Sequence, residues 1–293
     1  MLLYKSTFEK KILKAGKCKR NCVMSLLFHF KFSNVNNLIA IIGYLSLTNG
    51  QGTLRLFKKG IYYSQYTKGT LCSYLNVVEF PSEGFKDESN YQISNSSPID
   101  IGLDFSELHS RLKGIPKNTN SSLSFSMLDG TNAIILQKTY KVKNSKTHST
   151  DEELLPIGNY EIVDMKPSEP TREWDNPNII ISTNDFCTAC KDFSSQKNSK
   201  TSFKIYDSHF TIVGSTTSEG VDSEYKWKNY GPQNVEMGDP ITTVAVDSTL
   251  VKSFDKFKGI GDEIRFYSSH GCPIKMVVQV SDFAWLITYI DNI

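Results

Sequence analysis

The 293-residue sequence has no apolar run approaching the ~20 residues that a bilayer-spanning helix needs. Its longest candidate, residues 39–47, is interrupted by Gly43 and Tyr44, so no membrane partner is expected. It also has no G-x-x-x-x-G-K phosphate loop, because Gly43, Gly50, Gly52 and Gly69 stand in no such pattern. Histidine is scarce. His29, His109, His148, His209 and His270 are scattered, and none pairs with a nearby acid in a recognisable motif. Cysteine is sparse, at positions 18, 22, 72, 187, 190 and 272, and no secretory apolar segment precedes it, so free thiols are expected. Cys187-Thr-Ala-Cys190 has metal or redox spacing but lacks a second ligand pair in the body of the chain. Phe186, Ala189, Cys190 and Phe193 follow helical spacing instead, which predicts one buried helix face. The expectation is no catalytic residue, no metal and no cofactor.

What is present is unevenly placed. Residues 1–23 hold seven of the 33 basic residues and a single acid, which leaves 26 basic and 30 acidic groups in the remainder. The first 23 residues read as an appended, disordered basic leader, and Met24 begins a cleaner domain start. The 39% hydrophobic and 22% charged composition is that of a globular protein, with length for two domains of ~150 residues.

The main signal is a repeat. Asp104-Phe105-Ser106-Glu107-Leu108 leads to Lys113-Gly114-Ile115 and then to two apolar runs around Asp129-Gly130. Asp247-Ser248-Thr249-Leu250 leads to Lys258-Gly259-Ile260 and then to another such pair. The two Lys-Gly-Ile triplets lie 145 positions apart, half the chain, so two copies of one unit are expected. Helices are predicted at about 34–47, 105–113, 184–195 and 248–258. Asp104 and Glu107 have capping-box spacing, and Gly259 closes the last helix. The outward face of the first helix is expected to carry Asn34, Asn37 and Tyr44. Most of the rest has the alternation and turn signals of antiparallel strands. Residues 141–158 read as a polar loop and 159–165 return to strand character. Residues 166–178, with Pro167, Pro170 and Pro177, read as a linker between a domain at 24–165 and one at 179–293.

On these residues the chain resembles the DNA sliding clamp family of the proliferating cell nuclear antigen type. The resemblance covers about residues 24–293 and is strongest at 263–290, where Glu263-Ile-Arg-Phe-Tyr continues through Pro273-Ile-Lys-Met and Ala284-Trp-Leu-Ile-Thr-Tyr289-Ile. Asn184-Asp-Phe through Cys190-Lys-Asp-Phe-Ser194 is similar to the first helix of the family's second domain, and 60–71 to a first-domain loop. The leader and the 141–158 segment depart from the pattern and suggest a divergent member from a large DNA virus.

The resemblance implies an α+β fold: two tandem clamp domains, each with antiparallel sheets outside and two helices inside. It implies a homotrimeric ring around duplex DNA, bound without regard to sequence, that tethers a DNA polymerase and other replication or repair proteins. A separate ATP-driven loader and a nuclear location, or a cytoplasmic viral replication site, go with it. Lys113, Lys191 and Lys258 match hole-lining positions, and Arg111, Lys252 and Lys256 lie on the same helices. Tyr66, Pro273, Ile274, Tyr289 and Ile290 match a pocket for partner peptides. Tyr160 and Ile162 on one segment, with Tyr225 and Trp227 on another, match the strands that join subunits. The alternative is a clamp-fold viral processivity or late transcription factor that forms no ring.

Overall fold

The computed structural model describes residues 25–293, apart from 34, 86, 95–96, 116–120, 142–146, 161–169, 171–175, 196–198, 208, 217–221, 229–237 and 281–282. The first repeat runs β1 (Leu26–Phe32), α1 (Val35–Thr48), β2 (Gln51–Phe57), β3 (Gly60–Lys68), β4 (Cys72–Pro81), β5 (Tyr91–Ile93), β6 (Ile99–Asp104), α2 (Phe105–Leu112), β7 (Ser122–Leu128), β8 (Ala133–Lys141) and β9 (His148–Pro156). The second runs β10 (Ile179–Ser182), α3 (Thr183–Ser195), β11 (Ser199–Ile205), β12 (His209–Thr216), β13 (Asp222–Lys228), β14 (Thr242–Val246), α4 (Ser248–Ser253), β15 (Glu263–Tyr267), β16 (Ile274–Val280) and β17 (Ala284–Asn292).

The repeat is physical. Val35, Leu38, Ile41, Ile42 and Leu45 are the buried stripe of α1, and Thr183, Phe186, Ala189, Cys190 and Phe193 take the same places on α3. The spacing of Cys187 and Cys190 thus belongs to a packed helix face, as the sequence predicts. The fourth helix is shorter than its predicted span. The α-helix ends at Ser253 and Phe254–Gly259 continues as a 3₁₀ helix. Its two apolar residues, Phe254 and Phe257, are three apart, so the tighter turn stacks both toward the core. Tyr44 is not on the outward face of α1. It is fully buried, and its hydroxyl meets Asn76 Oδ1 at 2.9 Å and Thr288 Oγ1 at 3.1 Å. Asn34 lies outside the described residues.

Among the described residues three antiparallel sheets carry the helices. One is ordered β5-β1-β7-β8-β9, one β13-β12-β11-β14, and the largest β10-β15-β16-β17-β4-β3-β2-β6. The eight-stranded sheet crosses from one repeat to the other at β17 and β4, in register from Trp285 opposite Glu79 to Asn292 opposite Cys72. One continuous hydrophobic core runs beneath both repeats. The helices form a row against it: α2 packs on α1, α1 on the 254–259 helix, and that helix on α3.

Residues 148–156 are the clearest departure from the sequence reading. They form β9 within the supposed polar loop, paired with β8 from Lys141 opposite His148 to Ala133 opposite Pro156. Its alternation is hidden because an inward position holds Glu153 rather than an apolar residue. Lys138 on β8, 8% exposed, forms an ion pair with that carboxylate, and only Leu155 of β9 is buried in the ordinary way. Tyr160, expected on a strand, follows β9 outside any strand; its carbonyl accepts a hydrogen bond from the Thr53 hydroxyl at 3.0 Å. A Cβ on Gly158 would lie 2.4 Å from the Tyr160 ring, so glycine there lets the ring close over the backbone. Ile162 and the rest of 161–165 lie outside the described residues, as does most of the 166–178 linker.

Candidate nucleic-acid interface and partner groove

The helix row carries the basic side chains. Lys113 follows α2 as its C-cap and is exposed, and Lys191 is exposed on α3. Lys252 on α4 and Lys258 on the 3₁₀ helix are exposed, and Lys256 is half-exposed. Cations in the last turn of a helix also suit its dipole, which favours the places of Lys113 and Lys258. Arg111 differs from these five. Its guanidinium holds Glu107 Oε1 at 2.5 Å and Glu153 Oε2 at 3.3 Å, and donates to the Leu154 carbonyl at 3.1 Å. The Glu107 carboxylate chiefly, with Glu153 beside it, pushes the Arg111 pKa up. Arg111 is therefore committed to joining α2 to β9, a role that the sequence reading did not give it.

Among the described residues α1 contributes no basic side chain; its exposed positions are Asn36 and Leu47, the latter 58% exposed. What lies over α1 comes from its neighbour. The His109 imidazole of α2 rests on Gly43, where a Cβ would stand 3.1 Å from Nε2. Sequence reasoning counted His109 among the scattered histidines and attached no role to it. The signal was there, since His109 precedes Lys113 by one turn.

The opposite face of the eight-stranded sheet carries an aromatic row. Strand register sets Tyr66 opposite Leu75, Leu75 opposite Tyr289, Tyr289 opposite Lys275, and Lys275 opposite Tyr267. These residues form a second cluster, apart from the main core, with Val77, Val277, Ile287 and partly buried Tyr62 and Trp285. The Lys275 ammonium lies 5.5 Å from the Tyr289 ring centre and 6.0 Å from that of Tyr267, within cation–π range. Two expected pocket residues are not part of it. Ile274 and Ile290 pair with each other, are fully buried and belong to the main core. Each neighbours a cluster residue in sequence, and one step along a strand reverses the face. Pro273 is buried where β16 begins.

Among the described residues six strands end the three sheets, β5, β6, β9, β10, β13 and β14, and the predicted subunit contact concerns two of them, β9 and β13. Tyr225 on β13 is 37% exposed, stacks edge-on against Phe193 at 5.6 Å, and its hydroxyl meets Asp192 Oδ2 at 2.5 Å. Trp227, on the same strand, stands opposite Phe210 of β12. Leu154 on β9 is 64% exposed. Cys187 and Cys190 offer no reactive thiolate. Burial pushes Cys187 up to about 11 and raises Cys190 well above its usual value, the wrong direction for a nucleophile. Among the described residues no group of three His, Cys, Asp or Glu side chains could hold a metal ion, and no helix is long and apolar enough to cross a membrane.

No protein-family profile and no curated protein sequence matches the chain. Solved structures do. The crystal structure of the proliferating cellular nuclear antigen from Entamoeba histolytica superposes with a TM-score of 0.72, covering 92% of this chain and 100% of that one at 15% identity. Its helix row, its sheet crossing between repeats and this superposition together show that the chain has the α+β fold of the DNA sliding clamps.

Proposed function

We propose that the protein is a ring-forming sliding clamp that encircles duplex DNA and tethers a polymerase and other replication or repair proteins. The observation that carries this reading is the pairing of β17 with β4 within one chain. The last strand of the second repeat there joins the fourth strand of the first. By the repeat, β9 and β13 are the matching pair, and both are unpaired edges. A second copy satisfies them by the same geometry, and a head-to-tail contact of this kind must close or run on as a filament. Closure with three copies sets six near-equivalent repeats around the hole.

Transfer of the β17–β4 register to this contact sets Asp151 of one copy opposite Tyr225 of the next. It sets Thr150 opposite Lys226, with Glu152 diagonal to that lysine. The helix row then faces inward with Lys113, Lys191, Lys252, Lys256 and Lys258, and phosphate contact by lysines alone is blind to sequence. The aromatic row about Tyr66 and Tyr289 faces outward, where a partner's apolar peptide anchor would dock. The scaffold needs no chemistry of its own, and a separate loader would open it.

The test is retention on DNA after loading onto a circular duplex. A ring stays on the circle and is lost when the circle is cut; equal retention on both forms overturns it. A second reading, a non-ring clamp-fold factor, draws on the acidic outer edge of β9. Exposed Asp151 and Glu152 are the kind of edge charge that blocks strand pairing. A stable monomer by light scattering at micromolar concentration, unchanged by DNA, favours that second reading.

A further inference from the structure

The inner surface over α1 lacks lysine and arginine, yet charge from both repeats converges there. His109 lies one turn before Lys113 on α2, and its ring rests on Gly43 of α1. The 254–259 helix of the other repeat packs on α1 as well; a Cβ on its Gly259 would stand 3.0 Å from Ala40. Burial first, then the charges of Lys113 and Lys256, holds the His109 imidazole below its ordinary value of 6.5. The ring is therefore neutral near pH 7, in part because two ammonium groups from different repeats act on it.

The other charged groups on the packed helices are of both signs. The only ionisable group among the described residues of α1 is buried Tyr44. On α2, Asp104 accepts the Glu107 amide at 2.9 Å, and Glu107 holds Arg111. The α4 and 254–259 helices add Lys252 and Lys258, and Asp255. Among the described residues no hydrogen bond engages either nitrogen of the His109 ring.

We propose that His109, Lys113 and Lys256 form a phosphate site that spans the two repeats, and that His109 takes up a proton as a DNA phosphate docks. This rests on the DNA-clamp reading above. A phosphate set among the three groups cancels the repulsion between the ring and the two ammonium groups. It also accepts a hydrogen bond from the imidazolium. The proton comes from solvent and returns to it when the phosphate leaves. Binding that takes up a proton strengthens as pH falls. The surface over α1 would then grip DNA in proportion to acidity, while the lysines elsewhere on the row grip it at any pH.

The experiment is fluorescence anisotropy of a short labelled duplex with the full chain, at fixed salt, from about pH 8 to about pH 6, either side of the free imidazole value. The wild type is expected to tighten about fivefold on acidification, within the tenfold per pH unit that one coupled proton allows. His109→Gln should remove that gain. His109→Arg should bind tightly at both pH values, restoring the charge without the titration. Lys113→Gln should weaken binding throughout and lower the salt slope by about one. A His109→Gln protein that keeps the full acid gain overturns the proposal, as does a wild type whose DNA binding ignores pH. Absence of salt-dependent DNA binding in the wild type and in every variant overturns the phosphate site, while retention on circular against cut DNA decides the clamp reading separately.

Discussion

Asp104 and Asp247 occupy the same place in the two repeats, just before the second helix of each, but their carboxylates have different partners. Asp104 caps its own helix by accepting the Glu107 amide. Asp247 makes no such cap. It reaches into the other repeat, where its oxygens accept the amides of Thr70 at 3.0 Å, Leu71 at 3.1 Å and Cys72 at 3.4 Å. Gly69 permits this, since a Cβ there would stand 2.1 Å from Asp247 Oδ2. Asp104→Ala should cost about 1 kcal/mol, an ordinary N-cap loss. Asp247→Ala should cost more, about 2–3 kcal/mol, because three amides of the 69–72 turn lose a charged acceptor. Urea denaturation of both variants checks the order. Acid should act on the fold as well. His29 is held below its usual value by burial first and by Lys31 second, so the unfolded chain binds that proton more readily. Stability should thus be complete above the ordinary imidazole value and fall as pH drops through it, and thermal melts of wild type and His29→Gln should converge at acid pH.

Among elements, β9 shows how a charge network can stand where a core residue belongs. Lys138 and Glu153 take inward positions on β8 and β9, and Arg111 ties the same carboxylate to α2. The matching position to Lys138 in the second repeat is Val278, fully buried. Lys138→Ala would leave the Glu153 carboxylate with Arg111 alone behind an edge strand. Loss of one partner from such a pair costs about 3–5 kcal/mol when fully buried. Glu153 is part-exposed, so about 1–2 kcal/mol is expected, with β9 amide exchange rising more than that of β17. At the other edge, Tyr225→Asp would set like charges face to face with Asp151 across the subunit contact. If the proposed ring forms, a shift of the sedimentation coefficient from assembly to monomer is expected, with some fall in the monomer's melting temperature, because the change also removes the ring from Phe193 and sets a second carboxylate beside Asp192. Retention of the trimer would refute the β9–β13 contact.

At the scale of the whole molecule, the chain's modest net charge of +2 hides a directional arrangement. The exposed lysines of the helix row sit on one side, and the aromatic row about Tyr66, Leu75 and Tyr289 on the other. Replacement of Lys113, Lys191 and Lys258 together by Gln should lower the salt slope of DNA binding by about three, one per phosphate contact, with no change in the melt. Tyr289→Ala should instead weaken capture of partner peptides while leaving DNA binding intact.

Much of this was legible in the chain. The half-length period predicted two like units, the helix stripes gave their inward faces, and Asp104 with Glu107 marked a helix start, because local spacing alone dictates which side chains share a face. Short-range pattern could not see what depends on partners distant in sequence. β9 read as a loop because Glu153 finds its countercharge on Lys138; of Arg111's two carboxylates, Glu107 at i−4 was within reach of short-range pattern, whereas Glu153 lies 42 residues away. Ile274 and Ile290 were placed in a groove because the sequence carries no strand register. Asp104 and Asp247 look alike in sequence, yet only the packing of one repeat against the other turns the second into a clasp. The sequence by itself determined that the protein would be built twice over from one unit. The tertiary structure decided which strands meet at the seam and which stay open, since register and charge pairing arise only when remote segments come within contact distance.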